Sequence, residues 1–189
     1  MPAKSPLWHD ASETPQVGED LSMTDRRRID VILDGPEWLV LQTGVEASSP
    51  TETLSWFTEA AKRNQWWGDE ALIETRPGGR YVVRWPAMEW TMRGVVALFT
   101  DDTLIYSWSW DHEPNQPART VLVHAQPTES GSLLTITHGP YRPASPTLTD
   151  EDDGRHSHRE GWIYFLAELH ATMDKTPSDL VWQGGIHEP

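Results

Sequence analysis

The alternation of residue types between Ala71 and His138 constrains this chain most. In Arg80–Trp85, the residues Tyr81, Val83 and Trp85 share one parity, and Arg80, Val82 and Arg84 take the other. Successive side chains of an extended strand point to opposite faces, so this spacing predicts a strand with one buried face. The same reading gives strands at Ala71–Arg76, Trp90–Thr100, Leu104–Trp110, Arg119–Ala125 and Leu133–His138. Pro77-Gly78-Gly79, Asp101-Asp102 and Glu129-Ser130-Gly131 are turn signals, and Glu113–Pro117 reads as a loop. Short connections make neighbouring strands antiparallel, so six strands form a meander. One long helix follows, from His156 to Met173. Trp162, Phe165, Leu166, Leu169 and Met173 recur in it at i, i+3, i+4, i+7 and i+11, the stripe of a helix with one apolar face.

Upstream, Trp38–Glu46 reads as a first strand. Ser48-Ser49-Pro50 is a helix-entry signal. Leu54, Trp56, Phe57, Ala60 and Ala61 then predict one or two short helices, ended by Gln65-Trp66-Trp67-Gly68. The stretch from Thr24 to Leu33 reads either as a short capped helix or as an extra strand, and Gly35-Pro36 stops it. The expected class is α+β: a curved antiparallel sheet of about seven strands around one C-terminal helix, with two short helices after the first strand. A long helix gripped by a curved sheet leaves a space lined from both sides. The expected division is an extension over 1–37 that is partly disordered, a domain over 38–175, and a tail over 176–189 carrying Leu180-Val181-Trp182.

Composition narrows the function. A chain of 189 residues suits one domain with extensions. Cysteine is absent, which excludes disulfides, thiolate metal sites and cysteine nucleophiles. The formal net charge of −14 repels phosphate backbones and anionic lipid surfaces, so neither nucleic-acid binding nor membrane insertion is expected. The first twenty residues hold no apolar secretory stretch, and a cytoplasmic location is the default. No Gly-x-Ser-x-Gly elbow or phosphate-binding glycine loop occurs.

The aromatic residues are the compositional oddity: 11 Trp against 3 Phe and 4 Tyr. Parity groups Tyr81 with Trp85, Trp90 with Met92, and Tyr106 with Trp108 and Trp110. The alternate positions hold Arg80, Arg84, Arg93, Ser107 and Ser109, so the aromatic faces are expected to point inward. There they meet Trp162, Phe165 and Leu169 of the helix. Together with Trp67 and His138 these residues are the candidate ligand-binding set. They either line a ring-stacking pocket or fill the space themselves. His138 ends the inward face of Leu134 and Ile136. It is a ligand hydrogen-bonding group, a weak candidate general base, or a satisfied structural histidine; no acidic neighbour is evident to orient it. His156 and His158 could chelate a divalent ion with Asp152 or Asp153. The plainer reading is two surface histidines at a helix start, and no metal or other cofactor is expected.

Five phrases occur in order: Gln65-Trp66-Trp67-Gly68, Arg76-Pro77-Gly78-Gly79-Arg80-Tyr81, Leu104-Ile105-Tyr106-Ser107-Trp108, Leu134-Thr135-Ile136-Thr137-His138-Gly139 and Glu160-Gly161-Trp162. Together they resemble the SRPBCC, or START-like, superfamily with the birch-pollen-allergen helix-grip fold. The branch is the one named after the C-terminal domain of the heat-shock-protein-90 ATPase activator. The resemblance covers roughly residues 38–175. It implies a mostly apolar cavity between sheet and long helix. Members bind lipids, sterols, polyketides or plant hormones, or act as cyclases or hydrolases, and the family's name does not itself imply a chaperone role. The function expected is binding of a small apolar or aromatic molecule by a monomer or homodimer. A cyclase- or hydrolase-type enzyme and a co-chaperone-like interaction domain are the alternatives.

Overall fold

The computed structural model describes residues 28–141 and 154–175. Most of the N-terminal extension, the acidic run Asp150–Asp153 and the segment Leu180-Val181-Trp182 lie outside the described residues. The strands are β1 (Asp30–Asp34), β2 (Leu39–Glu46), β3 (Glu70–Ile73), β4 (Arg80–Trp85), β5 (Trp90–Phe99), β6 (Thr103–Trp110), β7 (Arg119–Pro127) and β8 (Gly131–Gly139). The helices are α1 (Pro50–Thr58), α2 (Ala60–Arg63) and α3 (Arg155–Met173). Strands pair in the order β1-β2-β8-β7-β6-β5-β4-β3, in one curved antiparallel sheet. The expected meander is present, and β2 crosses over to join its last strand, with Leu39 opposite His138 and Leu41 opposite Ile136.

Of the two readings of the stretch before Gly35, the strand is correct at its C-terminal end. β1 pairs with β2, with a bulge between Val31 and Leu33, and makes an eighth strand. Val31, Ile32 and Leu33 remain exposed. Backbone pairing to an open edge holds β1 in place, with little apolar burial, so hydrophobic periodicity had little to report there.

The helix-entry signal acts as expected. Ser49 caps α1 by accepting the Glu52 N–H at 3.2 Å, and Pro50 sits in the first turn, where no N–H is needed. Glu59 then adopts an extended conformation and separates α1 from α2. That break resets the helical phase. Ala61, expected on the apolar stripe, is exposed, whereas Arg63 is fully buried.

Within the sheet, β5 and β6 approach closely at Gly94, where an added Cβ would lie 1.8 Å from the Ser107 carbonyl oxygen. α3 packs its stripe of Trp162, Phe165, Leu166 and Leu169 into the same core as Leu39, Leu41 and Ile136. Polar contacts fix its position. Thr43 Oγ1 and His170 Nε2 are 2.8 Å apart, and Asp34 of β1 pairs with Arg155 and with Arg159 at 2.7 Å. No helix among the described residues is long and apolar enough to cross a membrane.

Candidate functional site

The inward parity of the strands builds one aromatic interior. Tyr81 and Trp85 come from β4, Met92 from β5, Tyr106, Trp108 and Trp110 from β6, and His138 from β8, and all are buried. Trp162, Phe165 and Leu169 of α3 close it from the other side. Trp67 enters from the segment after α2 and lies at the centre. Its ring stacks on Trp108 at 5.1 Å, tilts against Trp162 at 5.8 Å, and meets Trp85 and Phe165 edge-on at 5.5 and 5.9 Å. Tyr81 and Tyr106 stack at 3.9 Å. Each such pair contributes about 0.5–1.5 kcal/mol beyond the area it buries. Trp90 stands apart from this group. It is half-buried and stacks on His112 at 4.7 Å, with an edge contact to Trp110.

Among the described residues, these rings leave a gap of about 10 Å³, bounded by Trp67, Trp108, His158, Gly161, Trp162 and Phe165. That is about the space of one water-sized sphere. Around this gap the rings of the aromatic set pack on one another. A larger cleft, about 290 Å³, lies elsewhere, at the end of α3, between Val45, Glu46, Trp56 and Met173. None of the expected ligand-binding residues lines it.

His138 is fully buried, and its surroundings define its chemistry. Trp162 Nε1–H donates to His138 Nδ1 at 3.1 Å, so the imidazole proton resides on Nε2. Nε2 has no hydrogen-bond partner. Burial first, then His158 and the positive charge of Arg119, hold the His138 pKa well below the usual histidine range. A neutral ring with Nδ1 occupied and Nε2 protonated is a hydrogen-bond donor and a poor base. Trp108 Nε1–H is a second buried donor without a partner. The two rings are 4.9 Å apart.

His158 is buried, unlike the surface histidine expected at a helix start. It points inward between Trp110, whose Nε1–H donates to Nε2 at 3.4 Å, and Tyr141, whose hydroxyl is 2.9 Å from Nδ1. Burial and Arg119 push its pKa down to about 3. His156 instead contacts Arg159 at 3.1 Å. Among the described residues, no three His, Asp or Glu side chains converge as metal ligands. At the outer face of the sheet, Asp111 pairs with Arg93, Glu70 with Arg84 and Glu74 with Arg80.

Arg63 escaped the sequence reading. It is fully buried, and its guanidinium carbon lies 3.5 Å from the Trp67 ring centre, 4.3 Å from Trp66, 5.3 Å from Phe57 and 5.8 Å from Tyr81. None of its three side-chain nitrogens has a hydrogen-bond partner among the described residues. A signal did exist, since Trp66 and Trp67 follow Arg63 at i+3 and i+4, the spacing that brings side chains together over a helical turn.

The comparisons with known proteins fit this geometry. Residues 47–174, more than half of the chain, match the family model described as activator of Hsp90 ATPase homolog 1-like protein. The chain belongs to that family. Among solved structures, the family fold recurs in protein MLL2253 from Mesorhizobium loti, 19% identical with a TM-score of 0.63; the match covers 74% of this chain and 98% of that one. A protein from Rhodobacter sphaeroides is 18% identical with a TM-score of 0.61, over 81% of this chain and 99% of its own. DynU16, a protein of the dynemicin biosynthetic locus, is also 18% identical with a TM-score of 0.61, over 74% of this chain and 48% of its own. No curated protein matches. At these identities the structural likeness establishes the helix-grip fold, a fold compatible with ligand binding.

Proposed function

We propose that this domain binds a small, ring-containing molecule with a hydrogen-bond acceptor, held between the sheet and α3. The observation that carries the reading is the pair of open donors, Trp108 Nε1–H and His138 Nε2–H, in an otherwise aromatic interior. A buried polar group left without a partner costs about 1–3 kcal/mol. A ligand carbonyl placed between them recovers that loss, and the surrounding rings supply stacking area. Because the cavity is about 10 Å³, binding requires at least one ring to move, with Trp67 and Trp162 bordering the gap. DynU16 has the same fold and belongs to a biosynthetic locus, a setting that fits a small-molecule ligand.

Native and denaturing mass spectra of one purified sample test the reading. A mass excess present in the first and absent in the second identifies a retained ligand and its chemical class. Trp108→Phe and His138→Phe keep an aromatic ring and remove the donors, so both should reduce the retained fraction. An excess that both variants keep in full would place the ligand elsewhere.

A further inference from the structure

Arg63 points to the kind of ligand. Among the described residues, no carboxylate pairs with this cation. Arginine does not release its proton in a protein interior, so a positive charge stands among Phe57, Trp66, Trp67 and Tyr81. Ring faces attract a cation but offer its five N–H groups no lone-pair acceptor. The planar guanidinium is shaped for two parallel hydrogen bonds to a carboxylate or a similar oxyanion. Tyr106 adds a donor beside it. The Tyr106 hydroxyl is buried without a partner of good geometry. It is close enough to Arg63 to feel its charge, while burial and the neighbouring Tyr81 keep it protonated.

Trp67 joins Arg63 to the aromatic gap. One face of its ring covers the guanidinium at 3.5 Å, and the ring also stacks on Trp108 and borders the gap. A molecule that enters the gap and displaces Trp67 therefore reaches Arg63. We infer that the ligand is an acid: its ring system replaces the Trp67 ring, and its carboxylate or equivalent oxyanion pairs with Arg63 and the Tyr106 hydroxyl. This inference rests on the interior-binding reading above and adds to it the charge of the ligand and the residue that recognises it.

The probes are 2-naphthoate and the neutral 2-naphthamide, titrated at pH 7 into the full chain, with tryptophan fluorescence and calorimetry as readouts. Wild type is expected to bind the naphthoate about tenfold tighter or more. Arg63→Met should abolish that preference while retaining the amide. Lys62→Met, which removes an adjacent cation paired with Glu52 and Glu59, should keep it. If wild type binds both probes equally, or Arg63→Met still prefers the naphthoate, the inference fails and interior binding stands. If neither probe binds up to its solubility limit, both fail. The wild-type comparison needs no variant, so it decides the matter even if Arg63→Met does not fold.

Discussion

Replacing Arg63 with methionine should make the empty protein more stable. Three guanidinium nitrogens without partners each forfeit about 1–3 kcal/mol, and a desolvated ion adds to that cost. Against this stands the loss of the ring contacts, about 2 kcal/mol for a desolvated cation at 3.5 Å from Trp67. A smaller side chain also leaves a void, at about 1 kcal/mol. The balance favours methionine by about 0–6 kcal/mol, a span that contains the roughly 1–4 kcal/mol seen when buried ionic groups give way to apolar ones. For a chain of this size that raises Tm by roughly 2–4 °C per kcal/mol. Urea unfolding and a thermal melt followed by circular dichroism read it directly. A variant that melts below wild type by more than the ring-contact energy would refute the reasoning. It would make Arg63 a structural keystone of the aromatic cluster.

Acid should unfold the protein through His138 and His158. Both have folded pKa values below the unfolded histidine value, so the unfolded state binds more protons, and stability present above about pH 6.5 is lost as pH falls, for His158 down to its folded pKa of about 3. Each contributes a slope of about 1.4 kcal/mol per pH unit, and His158→Phe should remove one such slope between pH 6 and 4; unchanged urea-melt slopes would contradict this. Nitrogen-15 spectra of His138 should show the Nε2–H tautomer, and an Nδ1–H form would remove the open donor. Gly94→Ala forces a Cβ onto the Ser107 carbonyl and should cost about 3 kcal/mol or prevent folding, read by a urea melt. Thr43→Val removes the 2.8 Å hydrogen bond between Thr43 Oγ1 and His170 Nε2 and should cost about 0.5–1.5 kcal/mol in the same assay.

The open donors bear on the kind of chemistry available. His138 accepts from Trp162 on one nitrogen and carries its proton on the other, so it can orient a carbonyl more readily than it can remove a proton. Arg63 and the Tyr106 hydroxyl extend the same character, since both present N–H or O–H groups to an incoming acceptor. An interior whose unmatched groups are mainly donors selects for acceptor-rich molecules.

Much of this domain was determined by sequence alone. Side-chain alternation is a local consequence of strand geometry, so residue order alone puts Tyr81, Trp85, Tyr106, Trp108 and His138 on the inward faces, where all five are buried. The α3 stripe and the Ser49-Pro50 helix entry are likewise local and read true. Three features were decided only by the tertiary structure. β1 is held by hydrogen bonds to β2, and backbone pairing leaves no trace in apolar periodicity. The space between sheet and helix is a difference between two volumes, and the stacking of Trp67 on Trp108 and against Trp162 narrows the gap they border to about 10 Å³. Arg63 was turned inward by the extended Glu59, which resets the helix phase, and was then enclosed by rings from α1, β4 and the segment after α2. Residue order encodes which face a side chain takes within one element; whether a buried charge finds a partner depends on what distant elements bring to it.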